Sequence, residues 1–569
     1  MIQCGACSAS TVPRTLYPMR HLILLTGLAL AIPGCMGELD AGPVNGAVES
    51  GASRFPRLTH DQWRNATRDL LYLDERPAYP LNEAASSGTF ASGAELGVGG
   101  TLWAQYQSAA EALANDVTGD ADALNRILPD GLPTEPIARS RGFVEGFGLR
   151  VFRRPLSEDE ATAYTAQFAE GASLYPDLDP FAAGVRHVLA AMLQSPNFLY
   201  RVERSTERDV DQPSAIPLDG WEIASRLSFA LWNSIPDDEL FRAAEAGELA
   251  TEAGVREQAT RMVNEPAADE MLRDFHERLL GVSGYLQITR STTVFPEYSD
   301  ALRDISMPGE VRHFLDDVMI EHDGGFRDLM TSRVTYVDGR LAPLYDIAGV
   351  SGEDFVRVEL DPAERAGVLT MVGFLSANAT STETDPIHRG VFVARRILCE
   401  PLPAPPNNVP PLPPPSDMPR TMRDRVDEHT GRGTCGSSCH GGIINPLGFA
   451  FERFDALGRV QVLERTTMLP LDTSSVFAFD DSVQPFGGAV ELAEIVAESR
   501  DAHRCYADHL AEYLFGERSV RRSVATRGGN ASLDDDASVR EVAVEIVTHD
   551  LFRSRPAAAY TGPAGSEEN

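Results

Sequence analysis

The stretch best equipped for chemistry is Thr434-Cys435-Gly436-Ser437-Ser438-Cys439-His440. Two thiols followed at once by an imidazole is what covalent haem attachment requires: each cysteine adds to one vinyl group, and the adjacent His is held against the iron as an axial ligand. The customary spacing is Cys-x-x-Cys-His, and here one more residue separates the thiols. Two other chemistries use the same residues. Cys435 and Cys439 would also serve as a structural disulfide or buried thiols, or, with His440, as three ligands of a zinc site that still needs a fourth. Under the haem reading the sixth iron position falls to His429 or Met468, with Met418 and Met422 also near in sequence. A strong sixth ligand would confine the iron to electron transfer, whereas an open position would admit oxygen or peroxide.

The other cysteines depend on the compartment. Met19-Arg20-His21 is a short basic head, Leu22 to Ile32 an apolar run, and Ile32-Pro33-Gly34-Cys35 a lipoprotein processing site. Residues 1–34 are therefore expected to be a signal region that starts at Met19, with Cys35 lipidated and 35–53 a polar tether. An ordinary cleaved signal, with Cys35 incidental, is the alternative. The apolar run is short of the ~20 residues a membrane span needs. In an oxidising compartment unpaired thiols are a liability, so if Cys435 and Cys439 hold haem, Cys399 and Cys505 are natural disulfide partners. That bond would close a loop of about a hundred residues, for which chain entropy predicts ~4–5 kcal/mol.

The elements that must position the motif are overwhelmingly helical in their periodicity, with no repeat of solenoid length. Thr59 and Gln62 form a capping box ahead of a helix through Leu71, Pro77 to Gly100 reads as loop, and a helix follows around Leu102 to Val117. Ser157 and Glu160 form a second box. Phe181, Val185, Val188, Leu189 and Met192 trace one stripe, in which His187 is an ordinary helix residue. Trp221 to Trp232 is a strongly apolar helix, and Asp237-Asp238 after Pro236 caps the next one. His276, His313 and His322 lack the paired spacing of a zinc hydrolase, and no Gly-x-Ser-x-Gly elbow occurs. A helix from Val391 to Leu398 runs into Pro401 to Pro415, a polyproline II arm of roughly 45 Å at ~3.1 Å per residue. The helix Arg420 to His429 then leads to the motif.

Past the motif, Phe449 to Asp455 supplies either an apolar wall for a macrocycle or core aromatics with exposed carboxylates. Leu469 to Thr473 and Val476 to Phe479 are the expected short strands. Ala489 to Phe515 is helical, with Cys505, His509 and Tyr513 on one face; Gly528, Gly529 and the acidic run Asp534 to Asp536 read as loop, and a last helix spans Ser538 to Leu551.

A chain of 569 residues, 43% of them apolar, has material for about three to four domains. The net charge of −34 argues against nucleic acid and against peripheral attachment to anionic lipid. A solvated acidic surface, or docking to a basic redox partner, accounts for it.

The order Arg57-Leu58-Thr59, Phe152-Arg153-Arg154-Pro155-Leu156, Ser195-Pro196-Asn197-Phe198-Leu199-Tyr200, Ala224-Ser225-Arg226-Leu227-Ser228, Pro236-Asp237-Asp238-Glu239-Leu240, Arg389-Gly390, Leu398-Cys399, Cys439-His440 and Asn445-Pro446-Leu447-Gly448-Phe449 resembles the planctomycete-type cytochrome-c-associated multidomain proteins. These are large exported proteins of tandem domains of unknown function, common also in myxobacteria. The resemblance covers nearly all of Arg54 to Arg555 and implies that the segment of Cys435, Cys439 and His440 is where members carry Cys-x-x-Cys-His.

The expectation is a mainly α, multidomain chain of helical bundles, with a cytochrome-c-like Cys/Cys/His segment and a few short strands. Its units are 54–140 (N-terminal helical), 141–206 (small helical), 216–348 (central helical), 360–480 (cytochrome-c-like, carrying the Pro-rich arm 401–415), 486–555 (C-terminal helical) and 556–569 (disordered tail). Functionally it is an exported lipoprotein of the cell envelope, anchored at Cys35 on the periplasmic face of a membrane or at the surface. It binds one haem c through Cys435, Cys439 and His440 for electron transfer or redox chemistry; were it an enzyme, it would be a haem-dependent oxidoreductase. The partner is a redox protein or a surface polymer, not nucleic acid. The competing expectation is a haem-free surface binding protein whose cysteines are structural.

Overall fold

Thr59 opens the first helix by accepting from the Gln62 amide, while the Gln62 side chain accepts from the Thr59 amide. The helix His60–Leu71 that follows buries Trp63, Ala66, Leu70 and Leu71. In this computed structural model the described residues are 55–81, 96–210, 212–403, 419–431, 434, 436–516 and 522–557. The same reciprocal cap recurs at Ser157/Glu160, Asp219/Glu222, Thr421/Asp424 and Ser538/Glu541. Each N-cap side chain contributes about 1 kcal/mol and fixes where a helix starts before any tertiary contact forms. The protein is mainly helical with a few short strands.

The helices gather around two apolar cores. The first is built by His60–Leu71, Gly100–Gly119, Pro136–Phe152 and Pro180–Leu193, joined by Phe229 and Ile235 from the next segment. Phe143 stacks on Phe147 and meets Phe168 and Phe181 within it. The second runs from Leu218 to Phe552 and mixes residues of 216–348, 360–480 and 486–555. Leu272 and Phe275 of the helix Pro266–Leu280 share it with Phe451 and Phe454 near the motif and with Tyr506 and Val542 near the C-terminal end.

Buried arginines tie distant segments together through backbone carbonyls. Arg153 ends its helix at φ 58° and donates to the carbonyls of Val151, Asn197, Phe198 and Tyr200 at 2.8–3.3 Å. Burial, aided by the charge of Arg201, brings its guanidinium down to about 9. Arg226 holds Glu203 at 2.6 Å and the carbonyls of Phe552 and Ser554 at 2.9 and 3.1 Å. A buried carbonyl without a donor is costly, so each guanidinium satisfies several at once.

The strands form three antiparallel pairs: Ala215–Pro217 with Ser554–Pro556, Val334–Val337 with Val356–Glu359, and Ser475–Phe479 with Ser482–Phe486. Val476 to Phe479 is thus a strand, but Leu469 to Thr473 is not. That stretch makes one isolated bridge, Leu463 to Pro470, where proline has no N–H to extend a ladder. Gly528 and Gly529 also depart from the expected loop and lie inside the helix Arg522–Asp534. Their role is close packing: a β-carbon on Gly529 would stand 2.8 Å from Cα of Arg504, and one on Gly528 3.1 Å from Ala507 and Ile546. Glycine costs ~1 kcal/mol in a helix, but here it lets two backbones approach. Among the described residues no helix is long and apolar enough to cross a membrane. The expected signal region with Cys35, positions 404–418 of the Pro-rich arm and positions 558–569 of the tail lie outside the described residues.

Candidate functional site

The helix Met422–Thr430 delivers the chain to the motif. Thr421 caps its start, and it ends as the Gly431 amide returns to the Asp427 carbonyl at 2.8 Å. Thr434 then donates through Oγ1 to the Gly431 carbonyl at 2.9 Å and accepts from the Gly436 amide at 3.2 Å. Ser437–Ile444 winds as a wide, π-type turn and passes directly into the helix Asn445–Phe449. Such turns are uncommon and concentrate at functional sites.

His440 is half-buried in this turn, and its amide donates to the Gly436 carbonyl at 2.8 Å. Burial lowers its pKa, and the nearby charge of His429 adds to this; the amide of Asn445 beside the ring opposes both. Its Nδ1 is buried and makes no well-formed hydrogen bond among the described residues. Asn445, itself buried, is held by donating to Thr430 Oγ1 at 3.1 Å. Cys439 is half-buried next to His440, and Cys435 lies outside the described residues.

The two proposed sixth ligands separate. His429, in the last turn of the Met422–Thr430 helix, is close enough for its charge to act on His440. Met468 is 66% exposed, in a loop tied to the opposite end of that helix by Glu464, which accepts from the Met422 amide. At ~1.5 Å per residue the two helix ends are about 10 Å apart. Met422 is buried in a small cluster with Val426, Phe449 and Ile387, and Met418 lies outside the described residues.

The aromatic run follows the core reading rather than the wall reading, but its carboxylates do not stay exposed. Phe451 and Phe454 are fully buried in the large core and present no wall to a ligand, whereas Phe449 packs in the small cluster with Met422 and Val426. Glu452 and Asp455, expected at the surface, are buried too. Burial raises Glu452 to about 7 against the pull of Arg389, while Thr384 donates to it at 3.1 Å. A cleft of about 680 Å³ opens beside the Asn445–Phe449 helix between Phe449, Val476, Phe486, Arg423 and Glu491. Gly441 lines it, but Cys439 and His440 do not.

Arg389 fixes the motif from behind. It is fully buried and donates to the carbonyls of Phe451, Phe454, Asp455 and Leu375 at 2.9–3.2 Å. Its neighbour Gly390 packs so tightly that a β-carbon would lie 2.1 Å from the Ile444 carbonyl oxygen, and one on Gly448 would lie 1.8 Å from that of Pro386. Thus the helices Pro386–Phe392 and Asn445–Phe449 interlock through glycines, and the turn carrying His440 is anchored at its C-terminal end. The sequence marks these residues only as parts of the motifs Arg389-Gly390 and Asn445-Pro446-Leu447-Gly448-Phe449, not as positioning residues.

Cys399 and Cys505 are brought together as a disulfide, with S–S 2.05 Å and Cα–Cα 5.4 Å. His509, one turn beyond Cys505, places Nε2 3.5 Å from its sulfur and 3.7 Å from that of Cys399.

Four family models match in tandem: PSD3, Protein of unknown function (DUF1587), over residues 56–119; PSD5, Protein of unknown function (DUF1595), over 139–203; PSD4, Protein of unknown function (DUF1592), over 218–347; and PSCyt3, Protein of unknown function (DUF1588), over 365–464. The chain belongs to the planctomycete-type cytochrome-c-associated multidomain family. No curated protein and no solved structure matches it. In this cytochrome-c-associated chain the PSCyt3 match encloses Cys399, the Pro-rich arm and the Cys435 to His440 motif, whereas Cys505 and His509 fall beyond it. Arg389 and its four carbonyl partners all lie inside that match, as Arg153 and its partners do inside PSD5.

Proposed function

We propose that Cys435, Cys439 and His440 attach one c-type haem, and that the protein passes electrons at the cell envelope as an exported lipoprotein anchored at Cys35. The observation that carries this reading is His440: a half-buried imidazole with a buried Nδ1 that makes no well-formed hydrogen bond among the described residues, next to a half-buried cysteine on a wide helical turn. A buried ring nitrogen left without a partner is uneconomical unless something completes it. A bound haem supplies one-electron chemistry whose potential is set by its axial ligands and surroundings. The chain's own contribution is positional. Cys435 and Cys439 tether, His440 holds the iron, and Arg389, Gly390, Gly448 and Asn445 fix the turn. His429 is the better placed of the two sixth ligands. The acidic surface suits a basic redox partner, whose approach it would speed.

Expression with a cytochrome-c maturation system, followed by a pyridine haemochrome spectrum, tests the proposal. A Soret band that survives denaturation is expected, with loss of stable incorporation in His440→Ala and a shift to longer wavelength in Cys435→Ala, where one vinyl stays conjugated. The second reading, a haem-free surface binding protein, draws on the disulfide between Cys399 and Cys505, which shows this chain using cysteine structurally. It would prevail if no covalent haem forms and Cys435 and Cys439 alkylate only after reduction.

A further inference from the structure

His509 stands over the disulfide in an arrangement that disulfide bonding does not call for. It lies one turn after Cys505 on the helix Arg500–Phe515, so both side chains share a face. Its ring is half-buried, and a hydrogen bond with the Arg396 backbone holds it. Its Nε2 faces both sulfurs. A metal-binding imidazole likewise turns one ring nitrogen toward the ion.

The sulfur-to-nitrogen distances, though not the bonded sulfurs, are those of a metal site. The three donor atoms lie within 4.8 Å of one another. With Zn–S near 2.3 Å and Zn–N near 2.05 Å, a tetrahedral site has S···N edges of about 3.6 Å and an S···S edge of about 3.8 Å. The observed S···N separations, 3.5 and 3.7 Å, already match. Only the sulfurs, now bonded, must part. Cys399 has room to move because it is exposed, and it sits at φ 51°, a region that disfavours a β-carbon.

We propose that Cys399, Cys505 and His509 form a redox-gated site for a thiophilic d¹⁰ cation, with Zn²⁺ as the reference ion. A dithiol reductant opens the bond: its two thiols become a disulfide, and Cys399 and Cys505 each gain a proton and an electron. Binding of Zn²⁺ then releases both thiol protons to solvent, leaving two thiolates, the imidazole and a fourth position for water, the open Cys₂His pattern. A disulfide oxidant takes the two electrons by thiol–disulfide exchange and leaves as a dithiol, which reforms the Cys399–Cys505 bond and expels the ion.

The test uses the full chain, reduced with a phosphine, desalted without oxygen and titrated with Co²⁺ as the optical probe. One equivalent should bind with thiolate-to-cobalt charge-transfer absorption, and none should appear before reduction. The absorption should persist in the Cys435→Ser/Cys439→Ser double variant. In His509→Gln affinity should fall beyond the roughly 10–100-fold that loss of an outer-shell partner costs. Absorption that is unchanged in His509→Gln, or that vanishes in the double variant, overturns the proposal. Should His509→Gln fail to fold, alkylation of the reduced wild type decides: Zn²⁺ should abolish the reactivity of Cys399 and Cys505 in a peptide map, and equal labelling with and without Zn²⁺ would overturn it.

Discussion

Gly448→Ala adds one methyl group where two helices touch backbone to backbone. The new carbon would sit 1.8 Å from the Pro386 carbonyl oxygen and 2.7 Å from its carbon, and neither atom can swing aside. Contacts under 3.0 Å do not persist, so the helices Pro386–Phe392 and Asn445–Phe449 must part by more than about 1 Å. Arg389 feels the same displacement. Its bonds to the carbonyls of Phe451 and Phe454, at 2.9 and 3.0 Å, would pass beyond useful length. Overpacking costs about 1–3 kcal/mol, and each lost charged hydrogen bond about 1.5–3 kcal/mol, against ~1 kcal/mol gained from alanine's helix propensity. A net loss of roughly 3–8 kcal/mol follows, read as a lowered urea midpoint by far-UV circular dichroism. Gly119→Ala is the control, because nothing lies within 4 Å of its β-carbon, and it should stay within about 0.5 kcal/mol of wild type. An unchanged midpoint in Gly448→Ala would refute the interlock.

Glu452 makes stability pH-dependent in a defined direction. Its folded carboxyl at about 7 lies above the ordinary ~4.3, so the folded state holds the extra proton between these values and stability falls as pH rises through that window. Glu452→Gln should flatten the decline by on the order of 3 kcal/mol, measured as the difference in unfolding midpoints at pH 5 and 7.5. Cys399→Ser should cost ~2–5 kcal/mol under oxidising conditions and nothing under reducing ones, because the bond closes a separation of 106 residues; equal loss in both would mean that the bond is not what stabilises. Cys35→Ser should release the protein from membranes, and retention of the variant after a carbonate wash would reject lipid attachment there.

What could be read from the chain alone was whatever local chemistry decides. Thr59/Gln62 and Ser157/Glu160 announce helix starts because the cap completes within four residues, and both caps are present. Gly528 and Gly529 misled because their reason is a partner helix: with Arg504 unseen, two glycines before an acidic run look like a turn. Phe451 and Phe454 face the core rather than a ligand because Arg389, 62 and 65 residues earlier, pins their carbonyls. The strands Val334–Val337 and Val356–Glu359 are four residues each, too short for alternation to stand out from noise. At the motif the residue types were legible, but the wide turn and the closeness of His429 to His440 were not, since both depend on how Thr430 meets Asn445.

The pairing of Ala215–Pro217 with Ser554–Pro556 bears on how the chain matures as it emerges from its N-terminal end. The first core draws almost wholly on residues before 200 and can consolidate while synthesis continues. The second cannot. Arg226 waits for the carbonyls of Phe552 and Ser554, and Val263 for the guanidinium of Arg540. More than 300 residues must therefore be held unfolded or loosely collapsed until the closing strand arrives. Throughout that interval Cys399, Cys435 and Cys439 precede the eventual partner, Cys505, so the thiols of the motif are the nearer candidates for a wrong bond. Any helper that acts on this chain in its native setting has its work set by that interval, and its natural substrate is the half-made second core.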